Sequence, residues 1–179
     1  MAACVVRFAL ICVGMAMAEH DSSTWFETTQ LLTLDGAKHA LQAAEAKAAA
    51  GEYRVSITVC DAGGIPILLV RNSDGHSGEE AMMKCKTAAL FQTETDNLEA
   101  AANVTDGKGR TSLLSTPWLM MTGGLPMFKG RSLVGAVGVS GIPGPLGVPI
   151  GLAAVEAIGA TTKPRVLLNS ARSNEEQRR

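Results

Sequence analysis

A chain of 179 residues, 46% hydrophobic and 18% charged, suits one domain with tails and is apolar enough to build a core. Its net charge of -1 leaves no electrostatic footprint for nucleic acid, and an aromatic content of 4% argues against stacking platforms for single strands. No apolar run in the body of the chain reaches the roughly 18 residues of a membrane helix.

Residues 1–18 are small and apolar, with Arg7 as the sole charge. Ala16, Met17 and Ala18 have the small-x-small form of a cleavage site, so this stretch reads as an export signal. Cleavage after Ala18 would remove Cys4 and Cys12 and leave Cys60 and Cys85. Those two lack CxxC spacing and make no disulfide framework; they are expected to be small packing residues. Residues 19–30 form a polar arm carrying His20, Trp25 and Phe26.

Thr33 is an N-cap for a helix over 34–50. Leu34, Ala37, Leu41, Ala44 and Ala48 follow the spacing of one buried stripe, Gly51 ends the helix, and His39 lies nearly opposite the stripe. Residues 54–61 alternate, with Val55, Ile57 and Val59 on one face and Ser56, Thr58 and Cys60 on the other, as in a half-buried strand. Gly63 and Gly64 turn the chain. Residues 65–71 return as the second strand of a hairpin, with Pro66 marking an edge or a strand end.

A loop with His76 leads to a helix over 79–91, whose acidic start suits the helix dipole. Thr93 caps a short helix through Ala102. Residues 113–121 form a candidate strand that Pro117 makes irregular or peripheral. Residues 123–141 open on Gly-Gly-Leu-Pro, turn at Lys129, Gly130 and Arg131, and continue as a strand. Simple alternation puts Leu133, Gly135, Val137 and Val139 on one face, and Val134, Ala136, Gly138 and Ser140 on the other. Glycines inside a strand call for close approach of another backbone, such as a tightly packed helix, or of a flat ligand or second subunit. A last helix is expected over 148–158, with Pro149 in its first turn, and a disordered polar tail over 161–179. Helices set apart from an antiparallel sheet give an α+β class.

Five motifs then occur in order: Leu32-Thr33-Leu34 before the Ala-rich helix, Val59-Cys60-Asp61-Ala62-Gly63-Gly64, Lys84-Cys85-Lys86-Thr87-Ala88, Gly123-Gly124-Leu125-Pro126, and Gly135-Ala136-Val137-Gly138-Val139-Ser140-Gly141. Over roughly 31–160 the chain resembles the GlcG/HbpS-like family of haem-degrading or haem-binding proteins. The resemblance implies a profilin-like central antiparallel sheet with helices packed on it, assembly into homo-oligomers, and haem or a related tetrapyrrole as ligand. The chain departs from the family after Gly141. An acidic segment usually opens the last helix there, and here Ile142-Pro143-Gly144-Pro145-Leu146-Gly147 stands in its place.

Haem iron takes His, Cys, Met or Tyr as axial ligand. His76 and His39 are the candidate metal ligands. Lys84, Lys86 and Arg131 are the candidate partners of haem propionates. Met82, Met83, Met120 and Met121 read as core filler, and Asp96 with Glu99 as an ordinary helix surface. No nucleophile-base pair, Gly-x-Ser-x-Gly, His-Glu-x-x-His or P-loop is present. The expected function is an exported haem carrier or sensor. The alternatives are an enzyme that degrades haem or transforms a small organic acid, and a non-catalytic accessory subunit.

Overall fold

The computed structural model describes residues 29–72, 75–103 and 109–165. The candidate export signal, His20, Trp25, Phe26 and the tail beyond 165 lie outside the described residues. Four helices pack on one four-stranded antiparallel sheet, an α+β fold. The elements are α1 (Leu34–Ala50), β1 (Ser56–Asp61), β2 (Pro66–Arg71), α2 (Ser77–Phe91), α3 (Thr95–Ala102), a 3-10 turn (Thr111–Ser115), β3 (Gly124–Lys129), β4 (Ser132–Ser140) and α4 (Gly144–Ala157). The strand order β2-β1-β4-β3 puts β2 on an edge, where Pro66 does not interrupt a central ladder.

Side-chain hydrogen bonds close the start of α1 and the β1–β2 turn. The Thr33 hydroxyl accepts from the Gly36 amide at 3.1 Å and caps α1. Asp61 Oδ1 accepts from the amides of Gly63 and Ile65, both at 2.9 Å. With Gly64 at φ +76°, that carboxylate closes the hairpin turn.

The sheet has two unlike faces. Against α1 and α4 lie Ile57, Val59, Leu125, Val137 and Val139, packed with Ala37, Ala40, Ala44, Ile150 and Ala154 in one aliphatic core. Against α2 lie Cys60 and Ala136, packed with Cys85, Ala88 and Ala89. Gly138 faces α2, and a Cβ there would strike the Ala81 carbonyl and sit 2.6 Å from the Cys85 amide nitrogen. The glycine therefore serves the close approach of a helix backbone, the first of the two reasons the sequence offered.

Five expectations are corrected. Cys60 and Cys85 are joined in a disulfide between β1 and α2, with Cα atoms 6.3 Å apart. Neighbouring elements bring them within bridging range, and sequence separation alone does not reveal this. Leu133 packs on the α2 side and Val134 on the aliphatic side, the reverse of simple alternation. The cause is a β-bulge: Met127 pairs with Gly135 and Phe128 with Leu133, leaving Val134 as the extra residue. Residues 111–115 form a 3-10 turn, so no strand covers 113–121. Helix α3 begins at Thr95 with Glu94 at its cap position. Helix α4 begins at Gly144, and Pro149 lies inside it rather than in its first turn.

The chain also stays paired past 160. Phe128 and Thr161 exchange backbone hydrogen bonds at 2.8 and 2.9 Å, and the Arg165 amide donates to Gly130.

Candidate functional site

Helix α2 starts beside the end of β4, and its cap residue His76 and its residues Glu80 and Lys84 recur at four-residue spacing. That spacing stacks the three side chains on one face. The face looks across to the first turn of α4, and the two elements bound a cavity of about 490 Å³. His76, Glu80 and Lys84 line one wall, Glu99 and Thr122 a second, and Ser140 with residues 141–145 the third.

A continuous polar chain runs from the mouth to the floor. The His76 imidazole is 82% exposed, and its Nε2 lies 2.9 Å from Glu80 Oε1. The Ser140 hydroxyl donates to Glu80 Oε2 at 2.5 Å. Lys84 Nζ donates to Ser140 Oγ at 3.2 Å and to the Val139 carbonyl at 3.4 Å. Lys84 itself is 2% exposed. Desolvation by burial lowers its pKa, while the charges of Glu80 and Glu99 pull it back up. Glu99 is held in place by the Thr122 amide at 2.7 Å and by the Thr122 hydroxyl. Thr95 secures α3 beneath it: its hydroxyl donates to the Met121 carbonyl at 2.6 Å and accepts from the Gly124 amide at 2.8 Å.

No acidic residue lies in the first turn of α4, and its cap position, Pro143, makes no side-chain capping bond. Pro149 has no amide hydrogen to give the Pro145 carbonyl four residues back. Ile142, Pro143 and Pro145 make this side of the cavity apolar.

The structure brings together only part of the set read from the sequence. His76 and Lys84 share the cavity. Lys86 points elsewhere, its Nζ 5.3 Å from the Trp118 ring centroid, beside a separate apolar pocket with Met82 and Met83. His39 is exposed on α1, and Arg131 is exposed in the β3–β4 turn. Neither lines the cavity. Glu80 and Ser140 are the site residues that sequence reasoning missed. The four-residue spacing from His76 through Glu80 to Lys84 was the available signal for Glu80. No comparable signal pointed to Ser140. Glu99, read as plain helix surface, faces the cavity instead. Among the described residues there is no cluster of three or more His, Cys, Asp or Glu able to hold a metal ion, and no helix is long and apolar enough to cross a membrane.

Comparison with known proteins gives this arrangement relatives. The chain is 32% identical to Protein GlcG of Escherichia coli K12 over 120 residues, which is 64% of this chain and 84% of that one. Its fold is similar to the crystal structure of Klebsiella pneumoniae protein ORFY, with a TM-score of 0.69 and 26% identity over 76% of this chain and 96% of that one. It is also similar to the crystal structure of HbpS, with a TM-score of 0.68 and 27% identity over 75% and 94%. A PduOC:heme complex shares the fold at 24% identity, with a TM-score of 0.66 over 74% and 99%. The profile described as "Haem degrading protein HbpS-like" matches residues 32–160. On that match, which spans the sheet and all four helices, and on the identity to GlcG, the chain belongs to the HbpS-like family.

Proposed function

We propose that this protein binds haem, or a closely related tetrapyrrole, in the cavity between α2 and α4, with His76 as the axial ligand. The observation that carries the reading is the exposed imidazole at the mouth of a cavity of suitable size, backed by a carboxylate 2.9 Å away. A carboxylate behind an imidazole fixes its orientation and raises its basicity toward a metal. Ligation through Nδ1 leaves that contact intact, whereas ligation through Nε2 requires it to open.

The residues present fit the group in part. Met121, Ile142, Pro143 and Pro145 supply apolar surface for a porphyrin face. Glu80 and Glu99 disfavour propionates on the floor, and Lys84 is already engaged there with Ser140 and Val139. The floor is therefore a poor place for haem propionates. A bound haem would supply a redox-active iron; the chain supplies the imidazole, the apolar wall and a path for protons.

The proposal extends to an exported carrier or sensor that assembles into homo-oligomers. Export is supported by the pattern of residues 1–18 and by the Cys60–Cys85 disulfide, a bond that persists in oxidising compartments. A hemin titration followed by absorbance tests the site. Wild type and His39→Ala are expected to give a saturable Soret band that His76→Ala loses. A weak, non-saturating change common to all three would remove the haem reading.

The polar chain favours one second reading, turnover of haem rather than binding alone, since it places acid-base groups beside the cavity. Product formed from hemin and a reductant, above that from free hemin, separates turnover from carriage.

A further inference from the structure

We propose that Lys84 is a nucleophilic amine that condenses with a small carbonyl compound, an aldehyde or ketone, to form an imine on the cavity floor. This goes beyond haem binding and does not depend on it.

The geometry supplies what an imine-forming lysine requires. The first requirement is an amine kept from water yet open to a ligand. Lys84 is 2% exposed to solvent and still lines a cavity of about 490 Å³. Desolvation is what turns a lysine ammonium into a usable amine. Its two hydrogen-bond partners, the Val139 carbonyl at 3.4 Å and the Ser140 hydroxyl at 3.2 Å, are uncharged. Two carboxylates, Glu80 and Glu99, oppose the loss of its proton, but burial outweighs them.

The second requirement is a place for that proton. Ser140 lies between Lys84 and Glu80, and Glu80 reaches His76 at the solvent. The chemistry balances with these groups alone. The ammonium passes a proton through the Ser140 hydroxyl to Glu80. The nitrogen lone pair then attacks the carbonyl carbon, and the C=O π electrons move to oxygen. The proton held on Glu80 goes to that oxygen and gives a hydroxyl. The nitrogen then passes one of its two remaining protons to Glu80, and Glu80 delivers it to the hydroxyl. Water leaves as the nitrogen lone pair forms the C=N bond, so the product is the protonated imine. No oxidant or reductant takes part.

Reductive trapping tests this on the intact, haem-free protein. Wild type is incubated with pyruvate or with acetaldehyde in the presence of cyanoborohydride, and the adducts are mapped by peptide mass spectrometry. The two arms tell a ketone-bearing acid from a simple aldehyde. The expected result is an adduct concentrated on Lys84 in at least one arm, formed faster than on the surface residues Lys38 and Lys47, and slowed by Ser140→Ala. Ser140→Ala keeps the amine and tests the proton path, so a folding defect in a Lys84 variant does not blur the outcome. Label spread over the surface lysines with Lys84 unmodified would overturn the proposal. Rapid labelling of Lys84 that Ser140→Ala leaves unchanged would overturn the Ser140–Glu80 path. Because hemin is absent throughout, failure here leaves the Soret experiment standing, and the reverse also holds.

Discussion

The two faces of the sheet solve the same packing problem with different means. On the α1/α4 face, branched aliphatic side chains of the sheet pack against alanines of α1 and against Ile150, Ala154 and Val155 of α4. On the α2 face the backbones approach too closely for large side chains. Gly138, Ala136, Ala81, Cys85 and Ala88 form the contact, and polar groups are buried beside them. Thr58 and Thr87 keep hydroxyls without a hydrogen-bond partner there, and Lys84 is carried in on the same helix. The aliphatic face supplies stability. The α2 face positions the site, at the expense of buried polar groups that weaken the fold.

The comparison breaks most severely at Gly138. Gly138→Val should cost about 4 kcal/mol or more, because the new side chain meets helix backbone that cannot rotate away. Urea denaturation reads the loss. On the opposite face, Ile150→Ala removes a side chain that is 1% exposed and should cost about 2–5 kcal/mol. The same titrations should show an unaltered hemin response, since Ile150 lies away from the cavity. A change in both would show that the faces are coupled.

Lys84→Met sharpens the contrast through pH. The folded protein holds the Lys84 proton less tightly than the unfolded chain, so the unfolded chain binds more protons between the lowered folded value and the ordinary lysine range. Stability on account of Lys84 therefore rises with pH across that window. Denaturation midpoints measured over the alkaline range should rise in wild type relative to Lys84→Met. Parallel curves would mean that burial does not perturb the amine. The smallest effect is expected at Thr33→Ala, about 1 kcal/mol from the lost cap of α1, with no change at the cavity.

The sequence revealed whatever depends on neighbours along the chain. The stripe Leu34, Ala37, Leu41, Ala44 and Ala48 marked α1, because a helix repeats every 3.6 residues; the last four are buried, while Leu34 at the helix start is exposed. The alternation of Ile57 and Val59 with Thr58 and Cys60 marked β1 as a strand, but the half-burial expected from it is wrong: α2 covers the Ser56, Thr58 and Cys60 face, so both faces are buried. The start of α4 stayed hidden because Gly144 and Gly147 are poor helix formers, and because the sequence reads Pro149, rather than Pro145, as the first-turn proline. The cavity was less legible still. Its walls come from 76–84, Glu99, 121–122 and 140–145, and only the folded sheet brings those segments together. His76 and Lys84 could be nominated by chemical type. Ser140, which connects Glu80 to Lys84, had no distinguishing type at all.

The bulge at Val134 sets a reading frame for β4. Leu133 shares the face of Ala136, three residues on, only because Val134 between them is left out of the pairing. Deleting Val134 would set Leu133 next to Gly135, still on the α2 face, and leave a regular ladder with Phe128 opposite Leu133. Deleting Gly135 or any paired residue after it would instead turn the strand before it over. The bulge is thus the one place in β4 where the chain can shorten by a residue without exchanging the two faces.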